Sequence, residues 1–561
     1  MKLPMDSVKK SIYIIFIMGF MVAVIACNDY LDVVPKDQVS DGNLWESSNN
    51  ADLFLNKIYG SLESPVAQPI AEDPRENFSD NAMNSVAGRY SRTVYALSAY
   101  TPDYVNPSWG KAHEWNQYDH IRKCNLFIKN VTERDFPENW KKVRLAEARF
   151  LRAFFYNLLW TAHGGVPIIT EVLNLSEQGD EVFKPRSTAS ETADFLIREL
   201  DEIQNDLPIV AEEPGRVTKG AALSLKAWVE LFRASPLHNP SNDLALWKNA
   251  AETYRKIIEL GQYSLFPQYN ELFFEENNYN AEVIFVTPSD PNLTSNMHNR
   301  RSYMHAASYV GNSFRGFALT TPSQELIDEY AMANGLPISH PLSGYDPQNP
   351  YAGREKRFYE SIIYDGSTWL DTEMVIRFGL GTPSQIDLSD ASEATNTGYY
   401  WRKGINPKYS IVGDANNKAH WIWFRYAEIL LGYAEAQNEA VGPDASVYDA
   451  VNQVRARVEL PALTEGLTKE EMRTAIHRER RVELAFEEKR WYDLLRLKLA
   501  EEKLNGSLHA MLIEREGDRW VHKVIPAPGG ERRFFPEKNY FLPIPQAALD
   551  RNPLLQQNPN Y

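Results

Sequence analysis

Five residues in the segment 63–112 combine flat rings with side chains that form directed hydrogen bonds: Asp80, Asn81, Arg89, Tyr90 and Trp109. An aromatic ring can stack on the C–H face of a sugar ring, while carboxylate, amide and guanidinium groups bind its hydroxyls. The segment is also rich in Pro, Asn, Ser, Asp and Tyr, which is typical of a loop. We therefore predict that these five residues contribute to a ligand-binding surface.

A second group of such residues lies further along the chain. The stretch 288–320 contains Asn299, Arg301, Tyr303, His305, Tyr309 and Phe314, and Trp369 follows a Gly-Ser turn. Tyr303 and Trp369 complete the predicted site. Packing is the commoner role of any single aromatic residue. Trp109 and Trp369 are the preferred ligand-binding rings because both lie beside turn residues and not on a helical stripe.

Catalytic and metal-binding motifs are absent from the sequence. It contains no G-x-S-x-G, P-loop, dinucleotide-binding or H-E-x-x-H pattern. A glycosidase would need two opposed carboxylates, and 75 acidic residues make such a pair easy to suppose but impossible to identify. The 11 His residues are scattered, which argues against zinc. We expect no catalytic residues and no cofactor, although a structural calcium ion with unknown ligands stays open.

The composition is that of a globular protein with an acidic surface. Lys and Arg number 59 against 75 Asp and Glu, a net charge of −16. Such a surface repels phosphate backbones, so nucleic acid is a poor candidate partner. A neutral ligand is compatible with it.

The first residues of the chain indicate export. Lys9 and Lys10 precede an apolar run from Ile12 to Ala26, which is shorter than the roughly 20 residues that span a bilayer. Small and aliphatic residues directly before Cys27 resemble the cleavage site of bacterial lipoproteins. We predict a signal peptide over 1–26, lipidation of Cys27 and a tether over 27–50. An ordinary signal peptide is the alternative. Cys124 sits in a helical pattern and is expected to be buried.

Apolar residues at helical spacing predict a mainly α fold. Asp135 and Glu138 resemble a helix start, and the pairs Thr188/Glu191 and Thr468/Glu471 resemble capping boxes. The last of these helices is expected to run through Trp491 to about Leu499. Many helices fall into pairs with short joins, which predicts a tetratricopeptide-like frame of helical hairpins over about 51–260 and 421–561. The stretch 262–420 is expected to form a large loop-rich inserted subdomain that carries ligand-binding surface.

Two sets of residues are assigned structural roles. Trp115, Trp160, Trp228 and Trp491 lie on helical patterns and are expected in the core. The mixed-charge series from Arg478 to Arg490 is interpreted mainly as a solvated helix face with local ion pairs. Contacts of some of its members with the frame or with a partner stay open.

Several segments, in a shared order, resemble the SusD/RagB family of surface lipoproteins. They are CNDYLDVVPKDQVS, WNQYDHIRKCNLFI, AEARFLRAFFYNLLWTAHGGVPI, GRVTKGAALSLKAWVELF, RYAEILLGYAEAQNEA, IHRERRVELAFEEKRWYDLLR and NYFLPIPQAALDRNPLLQQNPNY. The most distinctive are Arg490 to Leu494 and the Leu542-Pro543-Ile544-Pro545 tail. The segments span nearly the whole chain after the signal.

The resemblance implies a SusD-like fold and a role in nutrient uptake. It implies a non-catalytic, lipid-anchored protein on the surface of the outer membrane that captures oligosaccharide. The captured glycan would be delivered to a TonB-dependent, SusC-like barrel transporter. Binding of peptide or protein within the same uptake architecture is the alternative, and a glycoside hydrolase is a weaker one. Binding loops vary within this family, so the resemblance transfers regions and no individual residues.

Overall fold

The computed structural model describes residues 44–62, 74–89, 91–103, 114–289, 307–390, 394–409 and 417–561. Several predictions lie outside these ranges: the signal peptide, Cys27, the tether up to residue 43, and the side chains of Tyr90, Trp109 and Tyr303. Within the described part, no helix has the length and apolar character that a bilayer span requires.

Helices dominate the structure, which confirms the mainly α prediction. The longer ones are α1 (Ser48–Tyr59), α2 (Gln117–Thr132), α3 (Glu138–His163), α4 (Ala189–Ile203), α5 (Lys219–Ala234), α6 (Leu244–Glu259), α7 (Tyr426–Val441), α8 (Ala445–Arg457), α9 (Lys469–Glu483) and α10 (Arg490–Arg496). Short helices cover Leu175–Gln178, Gln324–Ile327, Lys356–Ser361, Ala500–Lys503 and Gln546–Arg551. From α2 to α8, each longer helix packs against the next, and α9 packs on α7.

Local sequence signals set several helix ends. Thr188 and Thr468 each form the predicted capping box with the Glu three residues later. The predicted start at Asp135 is wrong, because α3 begins at Glu138 after Pro137 and has no side-chain cap. Trp160, Trp228, Trp491 and Cys124 are buried, as predicted.

Helices α6 and α7 join the two halves of the frame across the long insertion. They approach closely at Gly432, where a Cβ atom would lie 2.4 Å from Cζ of the Tyr254 ring. A larger residue at this position would push the helices apart, so glycine is required by the contact. The frame is therefore continuous through space although 166 residues separate α6 from α7 in sequence, counting from Leu260 to Arg425.

The strands form two-stranded antiparallel pairs. They are β1 (Ala82–Met83), β2 (Val283–Thr287), β3 (Tyr309–Val310), β4 (Ser313–Phe314), β5 (Thr321–Pro322), β6 (Ile362–Ile363), β7 (Thr368–Trp369), β8 (Thr372–Glu373), β9 (Tyr400–Trp401), β10 (Trp421–Arg425), β11 (Gly506–Glu516) and β12 (Arg519–Arg532). The pairs are β1–β5, β2–β10, β3–β4, β6–β9, β7–β8 and β11–β12. The long β11–β12 hairpin lies in the C-terminal part of the predicted helical frame and was not predicted from the sequence.

Two hydrophobic clusters form most of the core. The larger one joins α1 to α9 and extends from Trp45 to Ile476. The second consists mainly of residues of the insertion, such as Trp369 and Trp401, packed against Phe486 and residues of the β11–β12 hairpin. The hairpin therefore closes the base of the insertion, a role that its position in the sequence does not reveal.

The predicted continuous helix through Trp491 is interrupted. Helix α9 ends at Glu483, and α10 begins only at Arg490. Phe486 and Glu488 between them both have a φ of 64°. Left-handed backbone at these two residues breaks the helix and turns the intervening side chains inward, where Phe486 stacks on Trp401 at 4.7 Å.

From Glu479 onward the mixed-charge series is buried, which corrects its interpretation as a solvated face. Arg425 Nη1 donates to Glu282 at 2.7 Å and to Glu483 at 2.6 Å, and its Nη2 donates to Glu487 at 2.6 Å. We call the following set the buried ion-pair network: Glu282, Arg357, Lys403, Arg425, Arg457, Glu483 and Glu487. Helical periodicity did not reveal it because the partners come from distant segments.

The network connects the frame to the insertion. Arg425 and Arg457 belong to the frame, whereas Arg357 and Lys403 belong to the insertion. Burial opposes ionisation of Glu487, but Arg425 and Lys403 outweigh it and lower the pKa of this carboxyl to about 2. The cations of the network likewise outweigh burial and hold the pKa of Glu483 well below its usual range, so Glu483 and Glu487 are both charged at neutral pH and hold the two parts together.

Candidate functional site

The two loop regions predicted to bind ligand are joined by hydrogen bonds. Strand β1 pairs with β5, with Ala82 opposite Pro322 and Met83 opposite Thr321. The Ser85 hydroxyl donates to the Ala318 carbonyl oxygen at 2.7 Å. Segments 74–89 and 307–323 therefore form one structural unit. The sequence analysis had treated them as two independent ligand-binding regions.

An exposed cluster of rings lies on this unit, and we call its residues Tyr309, Phe314 and Phe317 the aromatic face. Tyr309 and Phe314 are opposite each other in the β3–β4 hairpin, with ring centroids 5.3 Å apart. Phe314 contacts Phe317 edge to face at 5.4 Å. Phe314 is 37% exposed, and the other two are half-buried. These edge-to-face contacts fix the Phe314 ring, and its exposed surface is available to a ligand.

Strained backbone flanks the aromatic face. Ala318, directly after Phe317, has a φ of 45°. In the neighbouring β7–β8 hairpin, Leu370 and Asp371 have φ values of 48° and 56°. A two-residue hairpin turn with positive φ at both residues ordinarily contains Asn and Gly. Strain at non-glycine residues concentrates at binding sites, where the surrounding structure maintains it.

The β7–β8 hairpin lies close to the tip of the β3–β4 hairpin. A Cβ atom at Gly311 would lie 3.8 Å from Cγ2 of Thr372. The Gly311-Asn312 turn could have been recognised from the sequence, because Gly-Asn between aromatic residues is a hairpin signal. That signal would also have drawn attention to Phe317, which the sequence analysis missed.

Asp80 and Asn81 are buried inside this unit and are not on its surface, which corrects their predicted placement. The Asp80 carboxylate accepts hydrogen bonds from Arg490 Nε at 2.7 Å and Nη2 at 2.8 Å, and Arg481 lies 3.1 Å away. Asn81 accepts from Arg481 Nε at 2.8 Å and donates to Glu76 at 2.7 Å. Both side chains therefore hold the loop onto α9 and α10.

The charge state of Asp80 follows from its partners. Burial alone would raise the pKa of its carboxyl, but Arg481 and Arg490 outweigh burial and hold that pKa well below its usual range. Asp80 is an anion at any physiological pH. Its charge fixes the loop from which β1 and the Ser85 contact extend to the aromatic face.

The remaining predicted residues have different environments. The Trp369 ring is only 2% exposed and lies under the Arg402 guanidinium at 5.5 Å. Its turn is at the surface, as expected, but the ring points inward because strand alternation places Thr368 outside. Arg89 is half-buried, four residues after Ser85, and remains a candidate. Of the predicted aromatic residues in 288–320, the structure brings Tyr309 and Phe314 together at the surface.

The aromatic face offers stacking surface and one phenolic hydroxyl. In the described part of the chain, no group of three or more His, Cys, Asp or Glu residues could hold a metal ion. The arrangement is therefore suited to holding a flat, partly apolar ligand by shape and ring contact.

The fold is shared with proteins of known structure. Among solved structures, a SusD-like protein from Bacteroides fragilis superposes with a TM-score of 0.77 at 28% identity, covering 94% of this chain and all of that one. A SusD-like carbohydrate-binding protein, also from Bacteroides fragilis, gives 0.76 at 26% identity over 91% of this chain and all of that one.

Sequence comparison gives a consistent result. SusD-like protein P38 of Formosa agariphila is 26% identical over 90% of this chain and 95% of its own. A family pattern described as starch-binding associating with outer membrane matches residues 29–231. The pattern of the SusD family matches residues 281–561, about half of the chain. The chain therefore belongs to the SusD family.

Proposed function

We propose that this protein is a non-catalytic receptor on the cell surface that captures oligosaccharide on the aromatic face. The observation that carries this function is the exposed Phe314 ring, held between Tyr309 and Phe317 on the unit that joins both loop regions. A related protein of known structure is described as carbohydrate-binding, and the pattern matched by residues 29–231 is described as starch-binding. Both descriptions support a glycan as the ligand.

The binding mechanism follows from the chemistry of the face. The exposed ring of Phe314 stacks on the C–H surface of a sugar unit, and the Tyr309 hydroxyl binds a sugar hydroxyl. Hydrogen bonds to neutral sugars replace hydrogen bonds to water, so their net contribution is small. Affinity is therefore modest and depends on the rings.

Replacing Phe314 by alanine is expected to weaken glycan binding by up to about tenfold, because one stacked ring contributes about 0.5–1.5 kcal/mol. The measurement is retardation in native gels that contain a neutral glycan, such as starch or linear xylan, with release of reducing ends followed in parallel. The Tyr309→Ala, Phe314→Ala double variant should show no retardation.

Phe378→Ala is the matched control for this variant. Phe378 is also 37% exposed but lies beside β11, where its backbone N–H donates to Ile513. The Phe378→Ala variant should be retarded like the wild type. Equal retardation of the Phe314 variants and the wild type would reject the aromatic face, and release of reducing ends by the wild type would reject the non-catalytic role.

We also propose that the protein is lipid-anchored in the outer membrane and passes its glycan to a TonB-dependent, SusC-like barrel. The support is the sequence around Cys27 and a family pattern described as associating with outer membrane. Two or more acyl chains on one residue give stable anchoring. In the native membrane, the barrel should co-purify with the protein after mild detergent extraction.

Cys27→Ala is expected to move the protein from the membrane pellet to the soluble fraction, since the acyl chains have no other attachment point in this proposal. Fractionation with immunoblotting measures the change, and mass spectrometry of the mature amino terminus identifies the lipid. Cys124→Ala is the matched control, because Cys124 is buried between helices and cannot be lipidated. Retention of the Cys27 variant in the pellet would contradict the anchor.

A further inference from the structure

A cavity of about 490 Å³ lies on the helical frame, and it shares no residue with the aromatic face. Its walls come from the residues just before and at the start of α2, from the segment between Pro167 and Lys184, and from the C-terminal helix Gln546–Arg551. The volume lies within the usual range for small-molecule sites, about 300–1,000 Å³. One or two sugar rings fit in such a space.

Hydrogen bonds between the walls keep the cavity open in one shape. The Gln546 N–H donates to the Pro102 carbonyl at 3.1 Å, and Asn552 Nδ2 donates to the Lys184 carbonyl at 2.9 Å. The Tyr118 hydroxyl donates to the Pro167 carbonyl at 2.8 Å. Because the walls are already fixed to one another, a ligand would not have to order them.

Trp115 forms the aromatic wall of this cavity. The sequence analysis placed it in the core, and its partly buried ring does pack against the larger hydrophobic cluster, but it also lines the cavity. The indole contacts the Tyr118 ring at 5.3 Å and the His163 ring at 5.3 Å, both edge to face. These two contacts hold the ring in one orientation, which is the condition for stacking on a sugar.

The polar side chains around the ring have free hydrogen-bonding capacity. Within the described ranges, Asp103, Asn116 and Arg551 form no side-chain hydrogen bond or ion pair, and Lys184 has only a 3.6 Å contact with Glu171. The ionisable groups lining the cavity are two cations and one anion, in a chain with a net charge of −16. The lining therefore favours an acidic ligand locally.

We propose that this cavity is a second saccharide subsite that takes a one- or two-ring sugar bearing a carboxylate, of the uronate type. The sugar ring stacks on Trp115, the carboxylate binds Lys184 and Arg551, and Asp103 and Asn116 take hydroxyls. This inference rests on the proposed function only in that the protein encounters saccharides. It uses no residue of the aromatic face.

The test uses the full-length protein labelled with 5-fluorotryptophan and observed by ¹⁹F NMR. The resonance that disappears in Trp115→Phe belongs to Trp115. Digalacturonate is expected to shift it saturably, and neutral galactobiose should bind at least about fivefold more weakly, as expected for loss of one charge contact worth about 1 kcal/mol. Arg551→Gln and Lys184→Gln should each weaken digalacturonate binding by a similar factor.

Matched variants separate this subsite from the aromatic face. Phe314→Ala should leave the Trp115 titration unchanged, and Trp115→Phe should leave glycan-gel retardation by the aromatic face unchanged. No shift of the Trp115 resonance, or a shift unaffected by both charge variants, overturns the subsite. If the Trp115 resonance still responds to digalacturonate but the Phe314 variants bind glycan like the wild type, the aromatic face is rejected and the subsite is supported.

Discussion

Replacing Arg425 by glutamine is expected to lower the free energy of unfolding by about 3–5 kcal/mol, the usual effect of removing one member of a buried ion pair. Arg425 is 1% exposed and donates to the carboxylates of Glu282, Glu483 and Glu487. Without its charge, these carboxylates remain buried with fewer cations. Urea unfolding followed by circular dichroism measures the loss.

The matched control is Arg255→Gln. Arg255 also pairs with two carboxylates, of Glu252 at 2.6 Å and Glu259 at 2.5 Å, but all three groups are on the surface of α6. Solvent screens such pairs, so no measurable change in stability is expected. If the two variants unfolded at the same urea concentration, the network would not contribute to joining the frame and the insertion.

Much of the frame could be predicted because its signals are local. Capping boxes at Thr188 and Thr468 depend on residues three positions apart, and the apolar stripes depend on neighbours within one or two turns. The break after Glu483 has no such local signal. It depends on left-handed backbone at Phe486 and Glu488, which is maintained by contacts such as the stacking of Phe486 on Trp401.

The candidate site could be predicted by region but only partly by residue. Composition identified both loop regions, and Tyr309 and Phe314 are at the surface as aromatic residues of a ligand-binding stretch would be. Asp80 and Trp369 are buried, and this could not be predicted because their partners, Arg490 and Arg402, are not sequence neighbours. Neither composition nor periodicity contains such long-range pairing.

Helices α9 and α10, with the turn between them, connect the frame, the insertion and the predicted ligand-binding loop. Glu483 at the end of α9 binds Arg425 of the frame and Arg357 of the insertion, whereas Arg481 of α9 and Arg490 of α10 bind Asn81 and Asp80 just before β1. This segment therefore holds both the insertion and the base of the aromatic face. A mixed-charge sequence that resembles a solvated surface is therefore a buried segment that connects the frame, the insertion and the loop before β1.

Replacing Asp80 by asparagine is expected to lower the free energy of unfolding by about 3 kcal/mol at pH 7, because Arg481 and Arg490 lose their buried counter-charge. The folded-state pKa of Asp80 is depressed, so the stability that its charge contributes is fully present above about pH 4, the ordinary carboxyl value, and is lost as the pH falls below it. Below about pH 4, the free energies of unfolding of the wild type and the variant should therefore approach each other. Denaturant unfolding at pH 7 and below pH 4 measures it.

The same variant distinguishes a supporting role of Asp80 from the direct ligand contact that the sequence suggested. At 10 °C, where the folded form of Asp80→Asn still predominates, its retardation in glycan gels should match that of the wild type, since the carboxylate is 1% exposed and cannot reach a ligand. Asp518→Asn, on the exposed tip of the β11–β12 hairpin, controls for the chemical change and should affect neither stability nor retardation. Unchanged stability of Asp80→Asn combined with lost retardation would instead identify Asp80 as a ligand-binding residue.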